Sequence, residues 1–363
     1  MEKSTQECLD NSIFRIKEGI SVASKFNAYQ IQKVSHYRKF SQIAECRNER
    51  TGEILAIKFV KKKFHSQNRR EVRILKQLKS LNLPKCYVVN FSDFIKLNDS
   101  FTYRGFLYQE FELLDQTLFD YLKKRGDTLK VAELRAIAQQ ILVALSALKQ
   151  LGITHTDLKL DNIMLVNHEE QPIKVKLIDF GFACETETLK EKGILHNLAY
   201  RAPEITLGLP RDEAIDTWSL GCLLSVLIIM KLLGQPDKKQ LDEGTLVSNY
   251  FRKVKNGSEC SWRFKTLKQY EKKKGAVSRR AHATYDDLTT LDDLFFSQNT
   301  NNSTENEDIE AFLDLVKKML TVDPANRILP DDALKHPFIT TEHLDVASDR
   351  RYVKKTYLQT HLP

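Results

Sequence analysis

The sequence lacks the features that mark several common classes of protein. Its six cysteines contain no C-x-x-C pair and no spacing typical of metal ligands, so neither a zinc site nor a disulfide framework is expected. The most apolar stretch, 220–230, is too short for the ~20 residues that cross a bilayer, and it predicts a buried helix. Residues 1–28 lack the apolar centre of a signal peptide. These absences predict an intracellular protein with reduced thiols and no membrane anchor.

Size and charge set the next limits. The 363 residues suit one large domain with two lobes or two ordinary domains, and 42% hydrophobic residues suffice for a core. Basic residues exceed acidic ones by 56 to 48, which gives a net charge of +8 and suits acidic partners such as nucleotides or phosphorylated chains. Direct nucleic-acid binding is not expected, because no zinc-finger or RNP-type motif occurs and the Lys runs at 61–63 and 272–274 are isolated.

The first third of the chain favours strands with one helix. Turn residues at 51–52 precede an apolar, β-branched run over 53–60, which predicts a hairpin whose second arm carries Lys58. A helical stripe over 68–81 places Glu71 near the start of a helix. The apolar runs 86–97 and 103–112 have the length of strands. This region therefore predicts a small β-rich unit.

Helices predominate after Asp115. Helical periodicity covers 117–124 and 131–151, with Gly152 as a stop. A hairpin is predicted from 162–166 and 175–178 around a turn at Pro172, and a buried helix over 220–233. Residues 234–305 are predicted to be irregular, ending in a polar loop at 297–305, before helices over 309–320 and 331–335. No second compact domain is predicted beyond these elements.

The run His155-Thr-Asp157-Leu-Lys159-Leu-Asp-Asn162, followed by Asp179-Phe-Gly181, indicates phosphoryl transfer. Asp157 can accept the proton of a substrate hydroxyl, and Lys159 can neutralise charge on the transferring group. Asn162 and Asp179 supply the hard oxygen ligands that Mg²⁺ prefers. The tripeptides His155-Thr-Asp157 and Asp179-Phe-Gly181 are each weak evidence alone. Both at this separation, with Ala202-Pro-Glu204 downstream, form a specific signal.

Lys58 and Glu71 are predicted to form an ion pair that holds the ammonium where nucleotide phosphates can meet it. A Lys on a strand is more often a surface charge. The catalytic-loop motif reverses that balance.

The chain resembles a eukaryotic protein kinase over residues 29–338. The resemblance implies an α+β, two-lobed fold with a small antiparallel β lobe at 29–112, a mainly helical lobe at 115–338 and an insert at about 235–305. It leaves an N-terminal extension at 1–28 and a C-terminal tail at 339–363. The resemblance also implies that ATP and Mg²⁺ are bound. It further implies that Asp216 anchors the catalytic loop and that Arg327 pairs with Glu204.

Finer features are similar to the homeodomain-interacting protein kinases, relatives of the dual-specificity tyrosine-regulated kinases. They lie in Tyr200-Arg-Ala-Pro-Glu-Ile-Thr-Leu-Gly-Leu-Pro210, in 213–216, in 171–179 and in Trp262-Arg-Phe-Lys-Thr-Leu267 of the insert. This resemblance implies phosphorylation of Ser or Thr in protein substrates, often before Pro. It also implies transcription-related partners and residence in the nucleus or cytoplasm.

The phosphate-binding loop departs from the kinase pattern. Counting back from Lys58 puts the last position of the family's glycine-rich motif at Ile43, and His36, Arg38 and Ser41 occupy the three glycine positions. Glycine allows close approach of the backbone to phosphate, so this loop cannot grip ATP in the usual way. Arg38 or His36 could replace backbone contacts with charge, or the loop could contribute little.

The activation segment departs as well. Ile194 occupies the position of a tyrosine that is phosphorylated in the resembled subfamily, and Leu198 replaces an Arg beside it. Thr156 replaces the catalytic-loop Arg that reads such a phosphate. The three substitutions predict an activity that does not wait for phosphorylation of this segment, although the Arg before the catalytic Asp is also absent from relatives of this branch.

The resemblance places the adenine pocket on Ile43, Ala56 and residues 111–114. Phe111 would lie at the back of the pocket, and the backbone of Glu112 and Leu114 would form the hydrogen-bonding edge.

Two hypotheses from different classes remain. The intact charged positions favour an active Ser/Thr protein kinase, whereas the lost glycines allow a pseudokinase that binds partners. A kinase of small molecules is a third reading, which the Ala202-Pro-Glu204 segment and the long insert disfavour.

Overall fold

The structure is a computed structural model, and it describes residues 16–37, 41–61, 64–80, 94–103, 105–125, 129–193, 196–225, 238–245, 247–256, 259–264, 302–344 and 352–353. The chain divides into two compact units. The first, which we call the sheet unit, comprises Met1–Leu118 and Ile163–Ala183, and the second, the helical unit, comprises Phe119–Asn162 and Cys184–Pro363.

The sheet unit contains a six-stranded antiparallel sheet in the order β1-β2-β3-β4-β6-β5. Its strands are β1 (Ser21–Ala23), β2 (Ala28–Tyr37), β3 (Ser41–Asn48), β4 (Ile54–Val60), β5 (Leu97–Tyr103) and β6 (Phe106–Glu112). The predicted hairpin with Lys58 on its second arm is confirmed, with Gly52 at φ 77° in the turn. One face carries an apolar cluster that includes Ile31, Ile57 and Phe59.

The helix α1 (His65–Ser80) follows β4 and confirms the helix predicted around Glu71. The strand predicted over 103–112 is wrong at its start, because Gly105 has φ 80° and the chain turns there between β5 and β6. Polar residues at 98–100 concealed β5. Most of the other predicted strand, 86–97, lies outside the described residues, and Leu97 is the first residue of β5.

A hairpin of β8 (Ile163–Asn167) and β9 (Gln171–Leu177) completes the sheet unit. Pro172 lies inside β9, so the turn predicted there is wrong. The turn lies at 168–170, where Asn167 Oδ1 accepts the N–H groups of Glu169 and Glu170, each at 3.1 Å. An Asn side chain thus closes the turn, and Pro occupies a strand position next to the turn, where a missing N–H is tolerated.

The helical unit is built around α3 (Val131–Gln150), which ends before Gly152 at φ 64° as predicted. By length and apolarity α3 could cross a membrane, but most of it is buried inside the unit, as expected of a core helix. Outside the insert, the other α-helices among the described residues are α2 (Leu118–Arg125), α4 (Pro203–Leu207), α5 (Ala214–Ser225), Ser303–Met319, Pro330–Ala333 and Pro337–Thr340. Short strands β7 (Ile153–Thr154) and β10 (Cys184–Glu185) pair with each other.

Two predictions in the helical unit need correction. The insert is ordered where the structure describes it: helices Lys238–Glu243 and Val247–Tyr250 precede a hairpin of Phe251–Asn256 and Glu259–Phe264. Trp262 holds that hairpin, because it packs with the Leu207 cluster and donates to Asp242 Oδ1 at 2.9 Å. The polar end of the predicted loop at 303–305 is the first turn of a helix, because Asn302 Oδ1 accepts the N–H groups of Thr304 and Glu305.

Candidate active site

The catalytic loop, residues 155–162, follows β7 and is held by a buried aspartate in the first turn of α5. Asp216 Oδ2 accepts the His155 N–H at 2.6 Å, and Oδ1 accepts the Thr156 N–H at 2.9 Å. Burial raises the pKa of Asp216, although His155 and these two amides oppose that shift. Thr156 has φ 67°, a left-handed conformation that costs an ordinary residue about 1–2 kcal/mol. The anchoring implied for Asp216 is thus confirmed.

Asp157 lies at the centre of the loop's polar contacts. Lys159 Nζ is 2.6 Å from Asp157 Oδ2, and Asn162 Nδ2 donates to the same oxygen at 2.9 Å and to the Asp157 carbonyl at 2.8 Å. The side chains of Asp157 and Lys159 keep 13% and 21% of their surface exposed. The three residues predicted on this loop therefore lie together around one carboxylate.

Asn162 is fully buried, and both contacts of its side chain use the amide nitrogen. Its Oδ1 has no hydrogen-bond partner among the described residues. A buried acceptor without a partner costs stability unless a ligand uses it. An amide oxygen of this kind fits a hard cation such as Mg²⁺.

In the sheet unit, Lys58 on β4 and Glu71 on α1 form the predicted ion pair. Lys58 Nζ lies 2.9 Å and 2.8 Å from the two Glu71 carboxylate oxygens, and both residues are buried. Asp179 Oδ1 is 3.5 Å from the same ammonium. One cation therefore meets two of the predicted acidic residues.

Asp179 follows β9 with φ 63°. The next residue, Phe180, is fully buried and packs against Phe94 with ring centroids 5.9 Å apart. A buried aromatic anchor next to the strained Asp179 fixes the backbone that presents its carboxylate.

The sequence did not single out Gln109, which joins this group. Gln109 is opposite Lys58 in the register of β4 and β6 and is fully buried. Its Nε2 donates to Glu71 Oε2 at 3.4 Å and to the Asn68 carbonyl at 3.3 Å. Its position two residues before Phe111, on the same face of the strand, was the available signal.

Strand register places the predicted adenine-pocket residues on one face of the sheet. Ile43 is opposite Lys58, and Phe111 is opposite Ala56. Directly opposed residues of antiparallel strands point to the same side, and side chains two residues apart do so as well. Ile43, Ala56, Lys58 and Phe111 therefore share the face opposite the apolar cluster.

The far end of β6 is fixed by charge. The Glu112 carboxylate accepts from Lys176 Nζ with both oxygens at 2.7 Å, and its Oε1 accepts the Lys96 N–H at 2.6 Å. Leu114, two residues on, is buried. The predicted hydrogen-bonding edge is thus held by side-chain contacts, and its use by adenine stays a prediction.

Two of the phosphate-loop residues, His36 and Ser41, lie at or near the ends of strands. His36 is opposite Ile43 near the end of β2, and Ser41 is the buried first residue of β3. Neither has a positive φ. Arg38 lies outside the described residues. At His36 and Ser41 the backbone adopts none of the left-handed conformations for which glycine would be needed.

In the activation segment, Ile194 lies outside the described residues, and Leu198 keeps 72% of its surface exposed. His196, which the sequence did not single out, has φ 67°. Its Nδ1 lies 3.1 Å from Ser219 Oγ, and its carbonyl accepts from the Arg201 guanidinium at 3.0 Å. Burial lowers the pKa of His196 to about 3, so the ring is neutral at physiological pH.

A buried ion pair holds the end of the activation segment at Glu204. Arg327 donates to both Glu204 oxygens at 2.6 Å and 2.9 Å, and both side chains are fully buried. The Arg327 guanidinium also lies 5.0 Å from the centre of the Trp218 ring. The pairing implied by the resemblance is confirmed.

The fold and these charged groups define a protein kinase domain. Residues 39–339 match the family described as protein kinase domain, so the chain belongs to that family. The expected α+β kinase fold is therefore confirmed.

Among curated proteins the chain is similar to several homeodomain-interacting protein kinases. It is 35% identical to homeodomain-interacting protein kinase 1 of Mus musculus over 347 residues, and this match covers 89% of this chain and 28% of the relative. It is 33% identical to homeodomain-interacting protein kinase 2 of Mesocricetus auratus, over 89% of this chain and 29% of the relative. For homeodomain-interacting protein kinase 4 of Homo sapiens the identity is 30%, over 94% of this chain and 60% of the relative.

The chain thus spans less than a third of the length of the first two relatives.

Proposed function

We propose that the chain is an ATP-dependent serine/threonine protein kinase that transfers the γ-phosphoryl group to hydroxyls before Pro. The observation that carries this proposal is the catalytic loop, where Lys159 and Asn162 both contact the Asp157 carboxylate and leave part of it exposed. Asp157 Oδ1 or Oδ2 would accept the proton of the substrate hydroxyl, and the Lys159 ammonium would neutralise charge on the transferring phosphoryl group.

On the nucleotide side, Lys58 would contact the phosphates and Glu71 would hold its ammonium in place. Ile43, Ala56 and Phe111 would contact the adenine ring from the sheet face they share. The Lys58–Glu71 pair supports this assignment, because the Glu71 carboxylate fixes the position of the ammonium through two contacts of 2.9 Å and 2.8 Å.

The residues present also fit Mg²⁺. Asn162 Oδ1 is a buried acceptor without a partner among the described residues, and the Asp179 carboxylate keeps 17% of its surface exposed. These two residues would hold the metal, which when bound neutralises negative charge on the phosphates.

The pseudokinase alternative finds no support in these observations. The Lys, Glu, two Asp and Asn positions are intact, and their polar contacts are formed within each unit. The lost glycines of the phosphate loop would weaken ATP binding without removing any of these groups.

Preference for Pro is supported by the segment 196–201. This segment lies near the catalytic loop: Tyr200 bonds to the Leu160 backbone, and His196 is close enough to His155 to interact electrostatically. The His196 carbonyl already accepts from Arg201. A substrate residue with an N–H would find this acceptor occupied, whereas Pro has no N–H to satisfy.

A peptide panel tests the proposal. Three peptides that differ only at the acceptor and the following position, Ser-Pro, Ser-Ala and Tyr-Pro, are incubated with the chain and Mg·ATP. We expect transfer to Ser-Pro, at least ~10-fold slower transfer to Ser-Ala, and no transfer to Tyr-Pro. Replacing the phosphate-contacting cation in Lys58→Met should lower kcat/KM by about 100-fold or more.

Lys33→Met, an exposed position on β2, is the matched control and should keep full activity. No transfer to any peptide by the unaltered chain would contradict the proposal, and equal rates with Ser-Pro and Ser-Ala would contradict only the Pro preference.

Protein substrates follow from the proposed activity. Transcription-related partners and residence in the nucleus or cytoplasm stay predictions from the resemblance.

A further inference from the structure

The sheet unit contains a cavity that lies apart from Lys58 and from the sheet face shared by Ile43, Ala56 and Phe111. Its volume is about 460 Å³, and it is lined by the last two turns of α1, by residues 94–97 and by Lys176 of β9. Cavities of roughly 300–1,000 Å³ commonly hold small ligands. None of these lining residues is among those predicted to bind ATP, metal or a peptide.

The wall of the cavity is apolar. Leu75 and Leu78, one turn apart on α1, line it together with Phe94 and Leu97. All four side chains are almost fully buried in the sheet unit. Such a wall favours an aliphatic or aromatic body over a polar ligand.

The cavity also has three cationic residues, Lys79, Lys96 and Lys176. Lys176 is bonded to Glu112. Lys79 and Lys96 are exposed, and no acidic side chain of the described residues lies within ion-pair distance of either ammonium. An apolar wall beside two such lysines is complementary to a molecule that carries one acidic group on an apolar body.

We propose that this cavity is a binding site for an apolar acid, a small molecule whose aliphatic or aromatic part lies against Leu75, Leu78 and Leu97 and whose acid group lies between Lys79 and Lys96.

The elements around the cavity also carry the groups proposed to bind the nucleotide, so this part of the inference rests on the proposed function. Lys176 and the Lys96 N–H both bond to the Glu112 carboxylate at the end of β6. Leu97 is opposite Phe111 in the strand register, and Phe94 packs against Phe180 next to Asp179. A ligand that shifts Lys96 or Phe94 therefore changes the positions of the Glu112 and Asp179 side chains. Because these residues are proposed to lie at the nucleotide site, binding of the ligand is coupled to binding of ATP.

A matched pair of probes tests the site. Octanoate and its neutral analogue octanamide are titrated into the full chain labelled at Leu and Ile methyl groups, and methyl NMR shifts give both location and Kd. We expect octanoate to shift the signals of Leu75, Leu78 and Leu97, and octanamide to bind at least ~10-fold more weakly. The variant Lys79→Gln/Lys96→Gln should weaken octanoate about 10-fold and leave octanamide unchanged.

Lys76→Gln is the matched control, because Lys76 is an exposed lysine of α1 that does not line the cavity. It should bind octanoate as the unaltered chain does, and the unperturbed methyl spectrum of each variant confirms its fold. Absence of shifts at these leucines, equal affinity for the two probes, or an equal loss in Lys76→Gln would overturn the site.

The coupling is tested by repeating the octanoate titration with saturating Mg²⁺ and a non-hydrolysable ATP analogue. We expect the Kd of octanoate to change by about 5-fold or more, and an unchanged Kd would overturn the coupling. Binding of the analogue is measured separately. Octanoate binding without any analogue binding would refute the proposed function and leave the acid site standing.

Discussion

Of the four non-glycine residues with positive φ in the described part of the chain, three lie in or beside segments assigned to chemistry, and the fourth, Thr341, ends the helix Pro337–Thr340. Thr156, Asp179 and His196 all have φ between 63° and 67°, and such conformations cost of order 1–3 kcal/mol and persist where neighbours fix them. Asp216 holds Thr156, and Arg201 holds the His196 carbonyl. The strain therefore lies in the catalytic loop, beside Phe180 and in the segment before Pro203.

His196 makes a prediction about pH. Its pKa is lowered to about 3, chiefly by burial, and the titratable or charged side chains that act on it are His155, Arg201 and Arg211. The unfolded chain, with an ordinary His pKa near ~6.5, binds a proton that the folded chain excludes, so stability falls as pH drops below ~6.5. This one group should contribute up to about 1.4 kcal/mol of loss per pH unit.

The free energy of unfolding is measured in urea at pH 7.5, 6.5, 5.5 and 4.5 for the unaltered chain and for His196→Gln. We expect a shallower decline in the variant below pH ~6.5. The same decline in both proteins would contradict the burial of a neutral His196.

Residue type and spacing predicted Asp157, Lys159, Asn162 and the Lys58–Glu71 pair, because phosphoryl transfer requires those side chains at those intervals. They could not predict His196 or Gln109. A buried neutral ring and a buried amide depend on which chain segments pack against them, and neither belongs to a motif with a fixed interval.

At the scale of elements, one side chain of α5 sets the shape of the catalytic loop. The Asp216 carboxylate accepts two consecutive backbone N–H groups, those of His155 and Thr156, in a loop where no strand or helix pairing is available to them. Both amides are in buried residues. Losing their acceptor would leave two buried donors without partners, each of which costs about 1–3 kcal/mol.

We therefore expect Asp216→Ala to lower the free energy of unfolding by about 2–5 kcal/mol and to slow peptide phosphorylation. Urea unfolding gives the first quantity, and amide hydrogen exchange at His155 and Thr156, which should accelerate, locates the effect. Glu213→Ala, at the residue that precedes α5, is the control. A loss no greater than that of the control would show that Asp216 does not hold the loop.

Elements with a clean pattern were predicted well, and those with polar faces were not. The hairpin of β3 and β4, the helix α1 and the core helix α3 follow from apolar periodicity and from Gly52 and Gly152. The strand β5 and the first turn of Ser303–Met319 were missed because polar residues form them, and their ends are decided by Gly105 and by the Asn302 cap.

At the scale of the whole molecule, two fully buried ion pairs lie among the described residues of the helical unit. Arg327 pairs with Glu204, and Arg135 pairs with Asp308. Removing one partner of a buried ion pair costs free energy, because the charge that is left is neither paired nor solvated. These pairs link distant parts of the sequence: Arg327 fixes the segment that contains Glu204, and Arg135 on α3 fixes the helix Ser303–Met319.

Removing one partner of the first pair should be strongly destabilising. We expect Arg327→Met to lower the free energy of unfolding by about 3–5 kcal/mol, and the double variant Arg327→Met/Glu204→Leu to lose less than the sum of the two single changes. Arg252→Met, at an exposed residue of the hairpin Phe251–Asn256, serves as the control. Additive losses in urea unfolding would contradict a direct pairing.

The sequence also predicted the kinase fold and family, because the motifs recur at intervals fixed by the chemistry over most of the chain. It predicted the ordered hairpin of the insert less well, since Trp262 packs there against residues far away along the chain.

The central claim is that Asp157 acts in phosphoryl transfer. The most direct test is the single-turnover rate of transfer from Mg·ATP to the Ser-Pro peptide by the unaltered chain, by Asp157→Asn and by the control Asp161→Asn, an exposed aspartate four residues along the same loop. We predict a rate about 10²–10⁴-fold lower in Asp157→Asn, with ATP binding retained, and a nearly unchanged rate in Asp161→Asn. Equal rates in the unaltered chain and Asp157→Asn would contradict the account.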